Sequence, residues 1–171
     1  MGQNIGVRYG LLAGVGSMFY LSCLYAIQKD LYYNQWLGVV VTLLYLVAMI
    51  GAGLRYRREE NSEATFSDTL KVTFTVAVVA GLIVVIFQYI MPNVVDPSLL
   101  SFLKAYQLED LKNLKAQQND MAMIKQISGQ IADLETNGVH FTFSNAMFAF
   151  ARSLVSGFLF ASVAAYLTKK Q

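Results

Sequence analysis

The sequence contains little charge and few chemically reactive side chains. Charged residues make up 14% of its 171 residues, and Cys and His occur once each. A single cysteine excludes an internal disulfide, and one cysteine with one histidine excludes the usual zinc ligand sets. Lys and Arg number 13 against 11 Asp and Glu, which is too even for a nucleic-acid-binding surface. Soluble globular domains contain about 25% charged residues, so this composition argues against a soluble domain.

Long apolar runs fill the sequence instead. Hydrophobic residues make up 56% of the chain, and four runs are long enough to cross a hydrocarbon core of about 30 Å. The predicted spans cover about residues 8–28, 36–54, 70–91 and 141–168, with Pro92 ending the third. The first run exceeds the apolar core of a cleaved signal peptide, which is about 7–15 residues, so we expect it to be retained. The predicted fold is all-α, a four-span transmembrane helix bundle forming a single integral membrane domain over residues 1–171.

The distribution of Lys and Arg predicts the orientation of the spans. With the N-terminus inside, the inner segments carry seven basic residues against four acidic ones, and the outer segments carry five against seven. The inner basic residues are Arg8, Arg55, Arg57, Arg58, Lys71, Lys169 and Lys170. Short loops rich in Lys and Arg stay in the cytoplasm. We therefore expect both termini to be cytoplasmic. In the inner loop, Thr65 with Asp68 three residues later resembles a capping box.

Residues 92–140 are polar, yet their apolar residues recur at helical spacing. The two apolar stretches do not share one register, which indicates two amphipathic helices rather than one. The first stretch contains Leu99, Leu100, Leu103 and Tyr106, and the second contains Ile124, Ile127, Ile131 and Leu134. We predict helices at about 97–117 and 120–136, folded as an extracytoplasmic hairpin within residues 96–138. The hairpin either covers the bundle, lies on the outer leaflet, or docks a partner helix.

Capping signals fix the ends of these two helices. Asp96-Pro97 places an N-cap before a proline at the first helical position. Asn119 or Asp120 can cap the second helix, and Asn137-Gly138 ends it.

Small residues recur at every fourth position in the first and fourth spans. Such ladders let helix backbones approach closely in lipid, where water does not drive association. The predicted packing residues are Gly6, Gly10 and Gly14, and Ala149, Ser153, Gly157, Ala161 and Ala165. We expect the first and fourth spans to pack antiparallel against each other. The alternative is a homodimer formed through one of the ladders.

Arg152 is the charged residue inside the fourth run. Charged residues within spans are functional hypotheses by default. At a similar predicted depth lie four polar residues, namely Gln88, Thr42, Tyr25 and Ser22. Together with Arg152 they form a candidate site for an anion or a lipid phosphate, held by the guanidinium group. The alternatives are that Arg152 extends outward to the headgroups, or that it serves transport.

No pattern in the sequence indicates catalysis. A phosphate-binding glycine loop, an H-E-x-x-H motif and paired acids within the spans are all lacking. We therefore expect no catalytic residues, no metal and no cofactor. The protein is predicted not to be an enzyme.

Short motifs in a fixed order resemble a known family. They are Tyr9-Gly10 with Gly14, Gly53 with Tyr56-Arg57, Phe66, Leu70, Lys71 and Val72, and the final Lys169-Lys170. The chain resembles a family of uncharacterised bacterial four-helix inner-membrane proteins, known as domain of unknown function 4199. The resemblance covers nearly the whole chain. It implies four spans, a Gram-negative inner membrane and no assigned activity.

These observations predict a multi-pass protein of the bacterial inner membrane. Its expected function is that of a non-enzymatic scaffold or accessory subunit in an envelope complex. The alternative is a lipid or small-anion binding or transport protein that uses Arg152. The expected partners are membrane lipid, a protein bound through residues 97–136 or a second copy of the chain, and not nucleic acid.

Overall fold

The computed structural model of this protein describes residues 2–60, 64–139 and 142–168, and these residues contain helices and no strand. In chain order the α-helices are α1 (Gly2–Ile27), α2 (Gln35–Glu59), α3 (Phe66–Ile90), α4 (Leu99–Gln117), α5 (Met121–Asn137) and α6 (Phe143–Leu167). A 3₁₀ turn at Lys29–Tyr33 precedes α2, and a π-helical turn at Met91–Val95 follows α3. The predicted start of the fourth span at Phe141, and Lys169 and Lys170, lie outside the described residues.

Four of these helical segments are long and apolar enough to cross a membrane. They are Asn4–Ile27, Trp36–Glu59, Phe66–Val95 and Phe143–Leu167. The predicted all-α class with four spans is therefore confirmed.

The chain divides into two compact units. The first comprises Met1–Gln88 and Phe143–Gln171, which hold α1, α2, α6 and nearly all of α3. The second is Tyr89–Thr142, which holds α4 and α5. The first unit is a helical bundle and the second is a helical hairpin.

Small and β-branched side chains form the core of the bundle. Its fully buried members include Met49 and Ala52 of α2, Val76 of α3 and Ala161 of α6. Helices that meet through small residues can approach closely. In lipid the hydrophobic effect does not drive helices together, so this close van der Waals packing stabilises their association instead.

Hydrogen bonds between helices connect α3 to both α2 and α6. The Tyr45 hydroxyl of α2 donates to the Ala80 carbonyl oxygen at 3.2 Å. The buried Thr73 hydroxyl shares its one proton among carbonyl oxygens at 3.1 Å, those of Thr69 and Leu70 in its own helix and that of Ala161 in α6. Each such bond between membrane helices contributes about 0.6 kcal/mol.

The start of α3 follows the predicted capping box. The backbone N–H of Asp68 donates to the Thr65 hydroxyl at 3.2 Å, and that hydroxyl donates to the Asp68 carboxylate at 2.7 Å. The end of α3 differs from expectation, because helical backbone continues past Pro92. The π-helical turn closes when the Asp96 N–H donates to the Met91 carbonyl oxygen at 2.8 Å. The wider turn accommodates the proline, which has no N–H to donate.

The hairpin has the predicted two helices. Asp120 caps α5 by accepting a hydrogen bond from the Ala122 N–H at 2.8 Å. Gly138 ends α5 with a positive φ of 73°, which glycine adopts without steric cost because it has no Cβ atom. The start of α4 lies two residues beyond the predicted one, because Asp96 first closes a turn with Ser98, whose N–H it accepts at 3.0 Å. The outward placement of the hairpin stays a prediction.

Candidate functional site

Glycines of α1 bring this helix into close contact with α3. A Cβ atom at Gly6 would lie 2.8 Å from the Val72 carbonyl oxygen, and one at Gly10 would lie 2.7 Å from the Val79 Cβ. A Cβ atom at Gly14 would lie 2.7 Å from Ile83 Cδ1. Since real Cβ atoms essentially never approach other heavy atoms below 3.0 Å, this spacing of the helices requires glycine at these positions.

The small residues of α6 also meet α3. A Cβ atom at Gly157 would lie 3.2 Å from the Ala77 Cβ of α3. One turn further along α6, the Ala161 carbonyl oxygen accepts from the Thr73 hydroxyl of α3. Ala161 and Ala165 are fully buried. The C-terminal half of the predicted α6 ladder, Gly157, Ala161 and Ala165, therefore lies in a helix interface.

The pairing of these ladders differs from the prediction. We expected α1 and α6 to pack against each other, but the α1 glycines and Gly157 of α6 have their nearest neighbours on α3, and α6 also contacts α2. The physical reason is that α3 presents small or β-branched residues to both neighbours. Val72 and Val79 meet the α1 glycines, and Ala77 meets Gly157 of α6.

Arg152 lies on the exposed surface of α6. Its position is nine residues after Phe143, about 13 Å along the helix at 1.5 Å per residue. No hydrogen bond or ion pair joins its side chain to another residue that the structure describes. A helix that spans a membrane would hold this guanidinium well inside the hydrocarbon region.

The polar residues predicted to accompany Arg152 make other contacts. The Ser22 hydroxyl donates to the Met18 carbonyl oxygen of its own helix at 2.9 Å. The Thr42 hydroxyl likewise donates within α2, at 3.5 Å. The Lys29 ammonium lies 5.9 Å from the centre of the Tyr25 ring. In the described part of the chain, none of these residues hydrogen-bonds to Arg152.

Gln88 instead lines a cavity of about 260 Å³ where α1 ends, α2 begins and α3 ends. Its walls are formed by Leu21, Leu24, Tyr32, Asn34, Gly38, Val41 and Gln88. The two leucines and the tyrosine are buried, whereas Gln88 is exposed. Gln88 therefore lies at the open side of the cavity, and none of the lining residues that the structure describes is charged.

Asn34 and Tyr32 are not among the predicted site residues. A signal for Asn34 was present, because asparagine just before an apolar helix is a favourable N-cap. In the structure its Oδ1 atom accepts the Trp36 N–H at 3.0 Å. The cavity itself had no local signal, since its walls come from three separate segments.

The bundle defines the class of this protein as multi-pass and helical, with four membrane-crossing helices. Its candidate sites are the arginine exposed on α6 and the cavity whose described lining residues carry no charge. The chain belongs to the family described as protein of unknown function, DUF4199, which matches residues 8–170. No match was found among curated proteins or among solved structures. The family resemblance seen in the sequence is thus confirmed.

Proposed function

We propose that this protein is a non-enzymatic accessory subunit of a complex in the bacterial inner membrane, and that α6 docks its partner. The supporting observation is Arg152, which lies exposed on α6 with no partner among the described residues. An arginine at the centre of a span costs about 2.5–3.5 kcal/mol on insertion scales. An anionic group from another molecule would offset part of this cost.

The sequence argues against a second copy of this chain as the source of that anion. Residues 9–27, 36–54, 72–91 and 141–167 contain no Asp or Glu. A symmetric dimer through α6 would bring two arginines together without a carboxylate. We therefore propose a different protein, with an Asp or Glu inside one of its spans at the depth of Arg152. A carboxylate can accept two parallel hydrogen bonds from a guanidinium group.

The surface around Arg152 suits the close approach of another helix. Ala149, Ser153 and Ser156 are small, exposed and within about one turn of Arg152. The two serine hydroxyls donate to carbonyl oxygens of their own helix, at 2.7 and 2.9 Å. In addition, 11% of the apolar stretch of α6 is buried, against 39% for α3. This face of α6 therefore has the free surface and the small residues that membrane helix pairs use.

The proposal includes the orientation of the chain across the membrane. The excess of Lys and Arg in the inner segments supports cytoplasmic termini and an extracytoplasmic hairpin. Within the hairpin, Leu114, Met121 and Met123 expose at least half of their surface. These residues lie in the segment 97–136, to which we assign a second contact with the partner outside the membrane.

Lipid or small-anion binding is the second candidate function. It is favoured by the exposure of Arg152 on a face that lipid would otherwise cover, since guanidinium groups bind phosphate well. The predicted companions Gln88, Thr42, Tyr25 and Ser22 make their contacts elsewhere. This candidate therefore depends on Arg152 alone.

Photocrosslinking in living cells separates the two candidates. A photoreactive amino acid replaces Ser156, next to Arg152, or Val47, an exposed residue of α2 that serves as the control. After extraction in a native-membrane polymer, mass spectrometry identifies the crosslinked peptides and retained lipids. The experiment is repeated with Arg152→Ala and Arg152→Lys.

We expect one protein to crosslink at position 156 and not at position 47, through a span that contains Asp or Glu. The crosslink should weaken in Arg152→Ala and persist partly in Arg152→Lys. Exchanging the charges, with Arg152→Glu and the partner's acid changed to arginine, should restore it. Crosslinks to lipid alone, with an anionic lipid lost in Arg152→Ala, would refute the subunit proposal and support the second candidate.

A further inference from the structure

The cavity between α1, α2 and α3 presents two amide NH₂ groups, those of Asn34 and Gln88, that make no hydrogen bond to the described residues. The Asn34 Oδ1 atom accepts a hydrogen bond from the Trp36 N–H at 3.0 Å. The other polar atom of this side chain is the amide nitrogen. Within the described residues, neither this NH₂ group nor the Gln88 side chain donates a hydrogen bond. Amide NH₂ groups each carry two N–H donors. The cavity therefore presents donors to whatever occupies it.

The other described lining residues are apolar or aromatic, and none of them is charged. Leu21 and Leu24 expose 5% and 8% of their surface and form its buried side. An ionised group would enter such a site without a counter-charge, which is strongly unfavourable. An uncharged ligand with acceptor oxygens suits it better, because it would meet the amide donors and the apolar wall together.

The size of the cavity limits what part of a ligand it holds. A cavity of about 150 Å³ holds one benzene molecule, whereas whole drug-sized ligands occupy about 300–1,000 Å³. At about 260 Å³, this cavity fits a substituted ring or a glycerol backbone. A longer tail would extend through the open side, where Gln88 is exposed.

We propose that this cavity binds the headgroup of a membrane lipid that is uncharged and carries carbonyl oxygens. Quinones and diacylglycerols share this chemistry. The nearby start of α2 has Trp36 exposed, a residue type enriched at membrane interfaces. A lipid headgroup lies at that level of the bilayer. This proposal is independent of the partner assigned to α6.

The fluorescence of Trp36, the only tryptophan, provides the test. The full chain is placed in phosphatidylcholine nanodiscs and titrated with decylubiquinone, whose ring quenches tryptophan. Asn34→Asp is the main variant, because an aspartate still accepts the Trp36 N–H as an N-cap but has no amide donor. Gly38→Leu adds a side chain at the cavity wall, and Gly16→Leu is its control. A Cβ at either glycine meets no atom within 4 Å, and only Gly38 lines the cavity.

We expect saturable quenching in the wild type and in Gly16→Leu. Half-saturation should need about fivefold more quinone in Asn34→Asp, since the loss of one hydrogen bond weakens binding by roughly that factor. Gly38→Leu should behave like Asn34→Asp. Dioctanoylglycerol should compete with the quinone, whereas dioctanoyl phosphatidic acid should not.

Other results identify the source of the headgroup or refute the proposal. Quenching that dioctanoylglycerol does not reverse would support quinones specifically. A response of Trp36 to dioctanoylglycerol alone, absent in Asn34→Asp, would support glycerolipids. Linear quenching that is equal in all variants, with no response to dioctanoylglycerol, would overturn the proposal. Equal competition by phosphatidic acid would overturn its uncharged character.

Discussion

Replacing Gly10 with alanine tests the close contact between α1 and α3. The added Cβ would lie 2.7 Å from the Val79 Cβ and 3.2 Å from the Val76 carbonyl oxygen. Ordinary contacts begin at 3.4 Å, so the helices must separate or Val79 must move, by roughly 1 Å in a densely packed interface. Relative to an alanine variant that meets no obstacle, such overpacking costs about 1–3 kcal/mol. For a chain of this length, that corresponds to a melting temperature roughly 2–12 °C below that of the unobstructed variant.

The single cysteine provides the assay. Cys23 lies in α1 and is partly buried, so a thiol-reactive dye reports the unfolding of that helix during heating in detergent. Gly16→Ala is the matched control, because a Cβ at Gly16 in the same helix meets nothing within 4 Å. Alanine is favoured over glycine in helices by about 1 kcal/mol, so this variant should melt at or above the wild-type temperature.

The contacts also predict a ranking among the glycines. Gly6→Ala should resemble Gly10→Ala, because its nearest obstacle is the backbone oxygen of Val72. Gly14→Ala should lose less stability, since the nearest atom is the flexible end of the Ile83 side chain. If Gly10→Ala melted together with Gly16→Ala, the close packing of α1 on α3 would be refuted.

Three further predictions concern other parts of the fold. Thr73→Val removes the hydrogen bond to a carbonyl oxygen of α6 and should lower stability in the same melting assay by about 0.6 kcal/mol, whereas Thr73→Ser should retain it. Asp120→Ala removes the α5 cap and should speed hydrogen exchange in the first turn of α5, at a cost of about 1 kcal/mol; equal exchange in Asp120→Ala and Asp120→Asn would contradict this role. In a cysteine-free background, Lys115→Cys should react with an impermeant maleimide in intact cells, and Arg58→Cys only after permeabilisation. The reverse labelling would contradict the proposed orientation.

The sequence predicted the features that depend on short segments. Span length and the caps at Thr65 and Asp120 are set by residues within one or two turns, so their patterns can be read locally. Pro92 did not predict where the third helical segment ends, because whether a proline ends a helix depends on the turn that contains it. Here the π-helical turn from Met91 to Val95 carries the helix onward.

Features that join distant segments could not be predicted in this way. The glycine ladder of α1 indicated a close helix contact, but its partner Val79 lies far along the chain. Several helices offer small residues, and the sequence does not show which surfaces meet. The same reasoning applies to Arg152 and Gln88, which were expected at one site because of similar predicted depth. Depth along a helix does not fix the direction in which a side chain points.

The central place of α3 has a consequence for the biogenesis of the bundle. During synthesis α1 and α2 enter the membrane before residues 66–90 exist, so Gly6 and Gly10 then face lipid without the surface that fits them. Insertion of α3 supplies that surface, together with the Ala80 carbonyl for Tyr45. When α6 is inserted last, the Thr73 hydroxyl that can donate to its Ala161 carbonyl oxygen is already present in α3. A chain interrupted before Phe66 is therefore a pair of helices whose glycine face lacks the α3 surface that covers it in the complete bundle.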